Sequence, residues 1–203
     1  MYRLCLKVDS PTPFRGNPVG VVSRRFHAFV LKSLQHESPA LSREVHDRKE
    51  RQVFSTHLLL KKGEIRINTP DREIVSCLQR YFLREAEIDL LEWKGTLREL
   101  HCQTFDPSRI DERFSPSFTL YFLTPTTFYQ WKNYYPLPEL KRLFSSAAKV
   151  SEIVTGEPIE WESLEPLIYP VRLEDLNVRT ERVSFGEFNV IGFKGKMAMS
   201  LKA

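Results

Sequence analysis

Five histidines, His27, His36, His46, His57 and His101, are the residues of this 203-residue chain best suited to proton transfer near neutral pH. Histidines that grip a metal from one helix stand three or four residues apart, and no two of these do. No metal site and no cofactor is expected. His27 falls in a helical stretch and His57 in a strand, where a packed or solvated side chain is the ordinary reading. His46 has a different setting, at the end of a short helix beside Asp47, Arg48, Lys49 and Arg51. There it could take or give a proton, or it could simply finish the helix as a surface histidine. Between Arg15 and Arg51 stand eight basic and four acidic residues, with the cations gathered as Arg24-Arg25, Lys32, Arg43 and Arg48-Lys49-Arg51. Such a cluster can hold the phosphates of an RNA strand without reading its bases, or form a solvated face.

Other chemistries lack their usual residues. No glycine-rich phosphate loop, GxSxG elbow, HExxH helix or paired-carboxylate motif occurs. Cys5, Cys77 and Cys102 are odd in number and form no CxxC, against a disulfide scaffold or a zinc site and in keeping with a reducing cytoplasm. Lys and Arg total 30 against 26 Asp and Glu, which gives a mildly basic surface that tolerates a polyanion without demanding one. The opening MYRLCLKVDS alternates like a strand rather than a leader, and no apolar run is long enough for a bilayer, so a soluble, cytoplasmic protein is expected.

The elements that must position His46 follow from hydrophobic period. Residues 2–8 alternate as a strand, and the Pro- and Gly-containing stretch 11–20 breaks the pattern. Val22, Phe26, Val30 and Leu34 then recur at helical spacing. Ser38 caps a second, short helix with Pro39 at its first position and Leu41 and Val45 inward. Residues 53–60 and 64–68 form a hairpin around Lys61-Lys62-Gly63. Thr69-Pro70-Asp71 opens a helix that buries Ile74, Leu78 and Phe82, and 88–91 and 95–105 close the sheet. Strand, helix, strand, strand, helix, strand is the ferredoxin-like order, an α+β unit over residues 1–106. After a connector, residues 117–203 begin the pattern again: a strand at 118–123, a helix at 137–150 with Leu140, Phe144 and Ala148 inward, and strands at 171–178, 181–188 and 190–201. This second ferredoxin-like unit is expected to be incomplete at its C-terminus. Phe128, Tyr129, Trp131, Tyr134 and Tyr135 could stack on bases, but packing is the preferred reading for most of them.

Three segments in order resemble the CRISPR repeat-RNA endoribonuclease family of the RAMP superfamily. They are Ser38-Pro39-Ala40-Leu41 through Val45-His46-Asp47 with Val53-Phe54-Ser55, then Phe122-Leu123-Thr124-Pro125-Thr126-Thr127-Phe128, and Gly192-Phe193-Lys194-Gly195-Lys196. The resemblance implies tandem ferredoxin-like (RRM-like) domains that bind a CRISPR repeat in precursor RNA and cut it without a metal. In that reaction the ribose 2′-OH attacks the adjacent phosphate, leaving a 2′,3′-cyclic phosphate and a 5′-OH. It implies His46 as general acid or base, with Arg24, Arg25, Lys32, Arg48, Lys49, Arg51, Lys194 and Lys196 as RNA-binding residues. Some members place a Tyr and a Lys where this chain has Leu31 and Gln52, and Lys49 or Arg51 could substitute for the lysine. The ending at Ala203, without the family's glycine-rich loop, fits a truncated or divergent member. The alternative reading is a non-catalytic RNA-binding subunit of a CRISPR effector complex, and a third is a regulatory ferredoxin-like domain with no nucleic acid. Other effector subunits and a second copy of the chain are further candidate partners; a membrane is not.

Overall fold

The computed structural model describes residues 1–10, 19–47, 53–59, 62–91, 93–106, 115–130 and 132–201. The chain divides into two compact units, Met1–Asp106 and Pro107–Ala203. No helix among the described residues is long and apolar enough to cross a membrane.

In the first unit β1 (Tyr2–Asp9) leads to α1 (Val19–Glu37), α2 (Pro39–Asp47), β2 (Ser55–Leu59), β3 (Glu64–Thr69), α3 (Arg72–Arg84), β4 (Glu87–Asp89) and β5 (Lys94–Thr104). The strands pair antiparallel in the order β2-β3-β1-β5-β4. That is the ferredoxin-like order with α2 and the short edge strand β4 added. Side chains alternate across a strand, so Leu4 and Leu6 of β1 share the helix-covered face with Ile65 and Ile67 of β3, all fully buried. Onto that face α1 lays Val22, Phe26, Val30 and Leu34, and α3 lays Ile74, Leu78 and Phe82. Phe29 of α1 meets Tyr81 and Phe82 of α3. At the far end of the pair, Glu37 is almost buried and binds Arg80 and Arg84 of α3.

The start of β2 is pinned by one hydroxyl. The chain runs through buried Val53 and Phe54 before β2 begins, and Thr69 Oγ1 donates to the Val53 carbonyl at 2.8 Å. The same oxygen accepts the Asp71 amide at 3.1 Å, while Asp71 caps α3 through the amides of Glu73 and Ile74. One buried threonine thus joins the ends of β3 and α3 to the entry of β2.

The second unit contains β6 (Ser117–Thr126), β7 (Phe128–Gln130), β8 (Asn133–Tyr135), α4 (Leu140–Thr155), α5 (Trp161–Ile168), β9 (Val171–Ser184) and β10 (Asn189–Leu201). Its three-stranded antiparallel sheet runs β6-β10-β9, matching the β1-β3-β2 order of the first unit. Val171, Met197 and Met199 form its core with Phe118, Phe122 and, from α4, Leu140, Leu143 and Phe144.

Three features here depart from the sequence reading. Residues 171–178 and 181–188 were expected as separate strands, but β9 continues through Arg179, Thr180 and Glu181 because β10 supplies partners across the whole stretch. The chain turns only after Phe185, whose amide donates to the Phe188 carbonyl, with Gly186 at φ +90. Helix α5 was not anticipated. Pro166 lies within it, where the sequence signal is against a helix, and buried Leu164 anchors it. The aromatic stretch after Pro125 forms the β7–β8 hairpin, in which Tyr129 and Tyr134 pack ring on ring at 5.0 Å and stay exposed.

Two substitutions test these supports. Thr69→Val removes both hydrogen bonds while keeping shape and should cost about 1–3 kcal/mol in urea-induced unfolding. Gly195 sits at φ +142, where an added Cβ would lie 2.1 Å from the Asn177 carbonyl oxygen. Gly195→Ala should therefore speed hydrogen exchange of the β9–β10 amides relative to those of the first unit.

Candidate active site

After Ser38 the chain folds back against α1, so that Ser42 Oγ of α2 donates to the Leu31 carbonyl of α1 at 3.4 Å. One turn from Leu31 toward the start of α1 is His27; one turn beyond Ser42 on α2 is His46. His46 is exposed on the last turn of its helix. The His27 ring stacks on Phe54 at 4.7 Å, immediately before β2. Burial pushes the His27 pKa below its ordinary value of 6.5 and favours the neutral, proton-accepting imidazole. Leu31 shares this edge of α1 and packs partly into the core.

In the sequence His27 reads as a packed or solvated helical residue. The structure places it against Phe54, on the edge of α1 that α2 adjoins. Its legible sequence signal was the four-residue step from His27 to Leu31 along one edge of the core stripe.

Of the cations expected to bind RNA, α1 carries Arg24, Arg25 and Lys32. Arg24 is exposed on α1. Arg25 lies on the edge of α1 away from His27 and donates to the Leu90 carbonyl beyond β4 at 3.3 Å. Lys32, two turns later on the same edge as Arg25, is exposed. Arg48, Lys49, Arg51 and Gln52 lie outside the described residues, as does Trp131. In the second unit Lys194 and Lys196 both point away from buried Phe193 and Met197. Lys196 pairs with Asp175 at 2.7 Å, and that carboxylate raises its pKa. Lys194 stands opposite Arg179, so like charges adjoin there.

The remaining histidines serve other surroundings. His36 pairs with Glu37 and meets Tyr81 edge-on, and His101 pairs with Glu99. His57 faces Arg66 across β2 and β3; burial first and then the Arg66 charge lower its pKa. Its Nε2 is buried without a hydrogen-bond partner among the described residues.

No protein-family model matches the sequence, and no curated protein matches it. Solved structures do match in fold. A Thermus thermophilus Cas6 in a product complex aligns with TM-score 0.74 at 20% identity, covering 100% of this chain and 86% of that one. Another Cas6, in a substrate-mimic complex, aligns with TM-score 0.72 at 20% identity, covering 98% and 83%. A RAMP protein described as binding different RNA substrates aligns with TM-score 0.61 at 12% identity, covering 98% and 88%. Along its whole length, the chain has the double ferredoxin-like fold of the Cas6 CRISPR repeat-RNA endoribonucleases.

Proposed function

We propose that this chain binds CRISPR repeat RNA and cleaves it by attack of a ribose 2′-OH on the neighbouring phosphate. The observation that carries the reading is the whole-chain fold likeness to Cas6 captured with product and with a substrate mimic. In this reading the 2′ oxygen forms a bond to phosphorus as the bond to the 5′ oxygen breaks. A base takes the 2′ proton and an acid gives one to the departing 5′ oxygen, leaving a 2′,3′-cyclic phosphate and a 5′-OH. Neutral His27 is the base and exposed His46 the acid. The division follows from their surroundings: a half-buried imidazole held on Phe54 resists protonation, whereas the His46 ring stands exposed on the last turn of α2. Cations beside His46 in sequence neutralise charge on the phosphorane.

The deciding assay incubates an end-labelled repeat RNA with the chain in EDTA, beside His46→Ala and His27→Phe. The phenyl ring retains the contact with Phe54 but accepts no proton. A single cut with a cyclic phosphate end is expected for the native chain, and each variant should cut about 10²–10⁴-fold more slowly while binding persists. Binding without any cut would make the chain a non-catalytic RNA-binding subunit, and an undiminished cut by either variant would remove that histidine from the mechanism.

The pH profile supplies an independent check. The base works only when neutral, so activity falls as pH drops through the His27 pKa. Because burial lowers that pKa, the acidic limb of kcat/KM should have its midpoint below pH 6.5. A midpoint above that value would exclude His27 as the base.

A further inference from the structure

Strand β2 stands at the edge of the first unit's sheet, with β3 as its neighbour. Its Thr56 and Leu58 lie opposite buried Ile67 and Ile65 on the helix-covered face, so Ser55, His57 and Leu59 take the outer face. There Ser55 Oγ accepts from the Asn68 side-chain amide at 3.2 Å. His57 is the middle residue of the strand and its one titratable group. The Nε2 of that ring is enclosed and has no hydrogen-bond partner among the described residues.

The charged groups that face the ring belong to the neighbouring strands. Arg66 of β3 stands directly opposite, Glu64 lies two residues before it, and Arg3 of β1 occupies the next row of the outer face. Glu64 is engaged by Arg66, Arg3 donates to Asn68 and covers the Phe105 ring, and Lys7 farther along β1 pairs with Glu99. A neutral imidazole carries one N–H and an imidazolium carries two, so protonation necessarily leaves an N–H on the enclosed Nε2. It also sets a positive charge beside two guanidinium groups. Burial first, then the Arg66 charge, lowers the pKa of His57 from 6.5, with Arg3 adding to the effect and Glu64 opposing it. What lies just before β2 gives this position its consequence. Phe54, on which His27 stacks, stands between Val53, held by Thr69, and Ser55, held by β3. Its place depends on both anchors.

We propose that His57 is an acid-operated latch on β2. With the ring neutral, β2 stays paired to β3 and Phe54 stays under His27. When the ring takes a proton from solvent it turns out to water, where both N–H groups find acceptors, and the pairing of residues 55–59 with 64–68 opens. Phe54 then keeps its anchor at Val53 and loses the one at Ser55. Linkage gives the sign. The closed strand disfavours the proton while the open strand leaves the ring in water at its ordinary value of 6.5, so opening is least above that pH and grows as pH falls below it. That this opening also slows RNA cleavage rests on the function proposed above; the latch does not.

The test follows amide hydrogen exchange by NMR in the full chain and in His57→Phe between about pH 5 and pH 8, each rate divided by its intrinsic value at that pH. In the native chain the opening constant of the amides that join β2 to β3 should rise by up to about tenfold per pH unit below pH 6.5, the limit for one proton, while that of the amides joining β1 to β5 stays level. In His57→Phe, whose ring does not titrate, both should stay level. The ring protons of His57 in the native chain, which need no variant, should titrate with a midpoint below 6.5. A midpoint at or above that value, a β2 opening indifferent to pH in the native chain, or the same rise in His57→Phe would overturn the latch. Cleavage of repeat RNA is scored separately. A chain that cuts nothing yet opens β2 with acid keeps the latch and loses the enzyme; one that cuts while β2 ignores pH does the reverse.

Discussion

Alternation along the strands is the constraint on which the rest of this structure depends. Within each unit the described helices pack on one face of its sheet, so every second residue of a central strand must be apolar and its neighbour is given to the other side. In the first unit this rule buries Leu4, Leu6, Ile65 and Ile67 and turns Arg3, Lys7 and Arg66 outward. In the second it buries Phe193 and Met197 and turns Lys194 and Lys196 outward. A slip of one residue in either register would put the charges into the core. Gly192 and Gly195 belong to the same constraint. Backbone of β6 comes within 2.9 Å of where a Cβ on Gly192 would sit, and backbone of β9 comes closer still to Gly195.

With the sheet of the first unit fixed, the histidines are set by what the helices do at its edge. Phe26, Val30 and Leu34 decide how α1 lies on the sheet, and His27 and Leu31 then fall on one edge whatever their own preferences. Thr69 holds the chain before β2 in place, which brings Phe54 under His27. Ser42 ties α2 to the same edge. The proposed acid and base are thus supported by packing that contains no catalytic group. The arrangement gives the two rings different surroundings, one half-buried against a phenyl ring and one in solvent, and that difference is what acid–base division requires.

The two sheets use their outer faces differently although they share a strand order. On the first, Lys7 lies in register between Glu64 and Glu99 and pairs with the latter, and Arg66 pairs with Glu64. On the second, Lys194 and Arg179 face each other, an arrangement that weakens pairing between strands. A sheet accepts such a contact when long backbone pairing elsewhere compensates, and β9 and β10 pair over nearly their full lengths. The result is a face with uncommitted positive charge beside an exposed tyrosine.

By itself the sequence determined the sites where apolar period is strong. The stripe on α1, the Ser38 break before α2, the Asp71 cap and the order of elements in the first unit were all legible, because each depends on neighbours within one or two turns. His46 at the end of α2 was legible for the same reason. Only the tertiary structure decided the partners. It showed Arg25 turned to the Leu90 carbonyl and away from His27, since a run of cations in sequence does not say which edge of a helix each will occupy. It joined residues 171–184 into one strand, because β10 supplied hydrogen bonds through Arg179 and Glu181 that local preference could not foresee. It kept α5 helical across Pro166, and it placed Phe54 against His27. Tyr121 gave no local sign of its exposure. A tyrosine in an alternating strand reads alike on either face, and only pairing with Lys196 assigns it to the side that meets water.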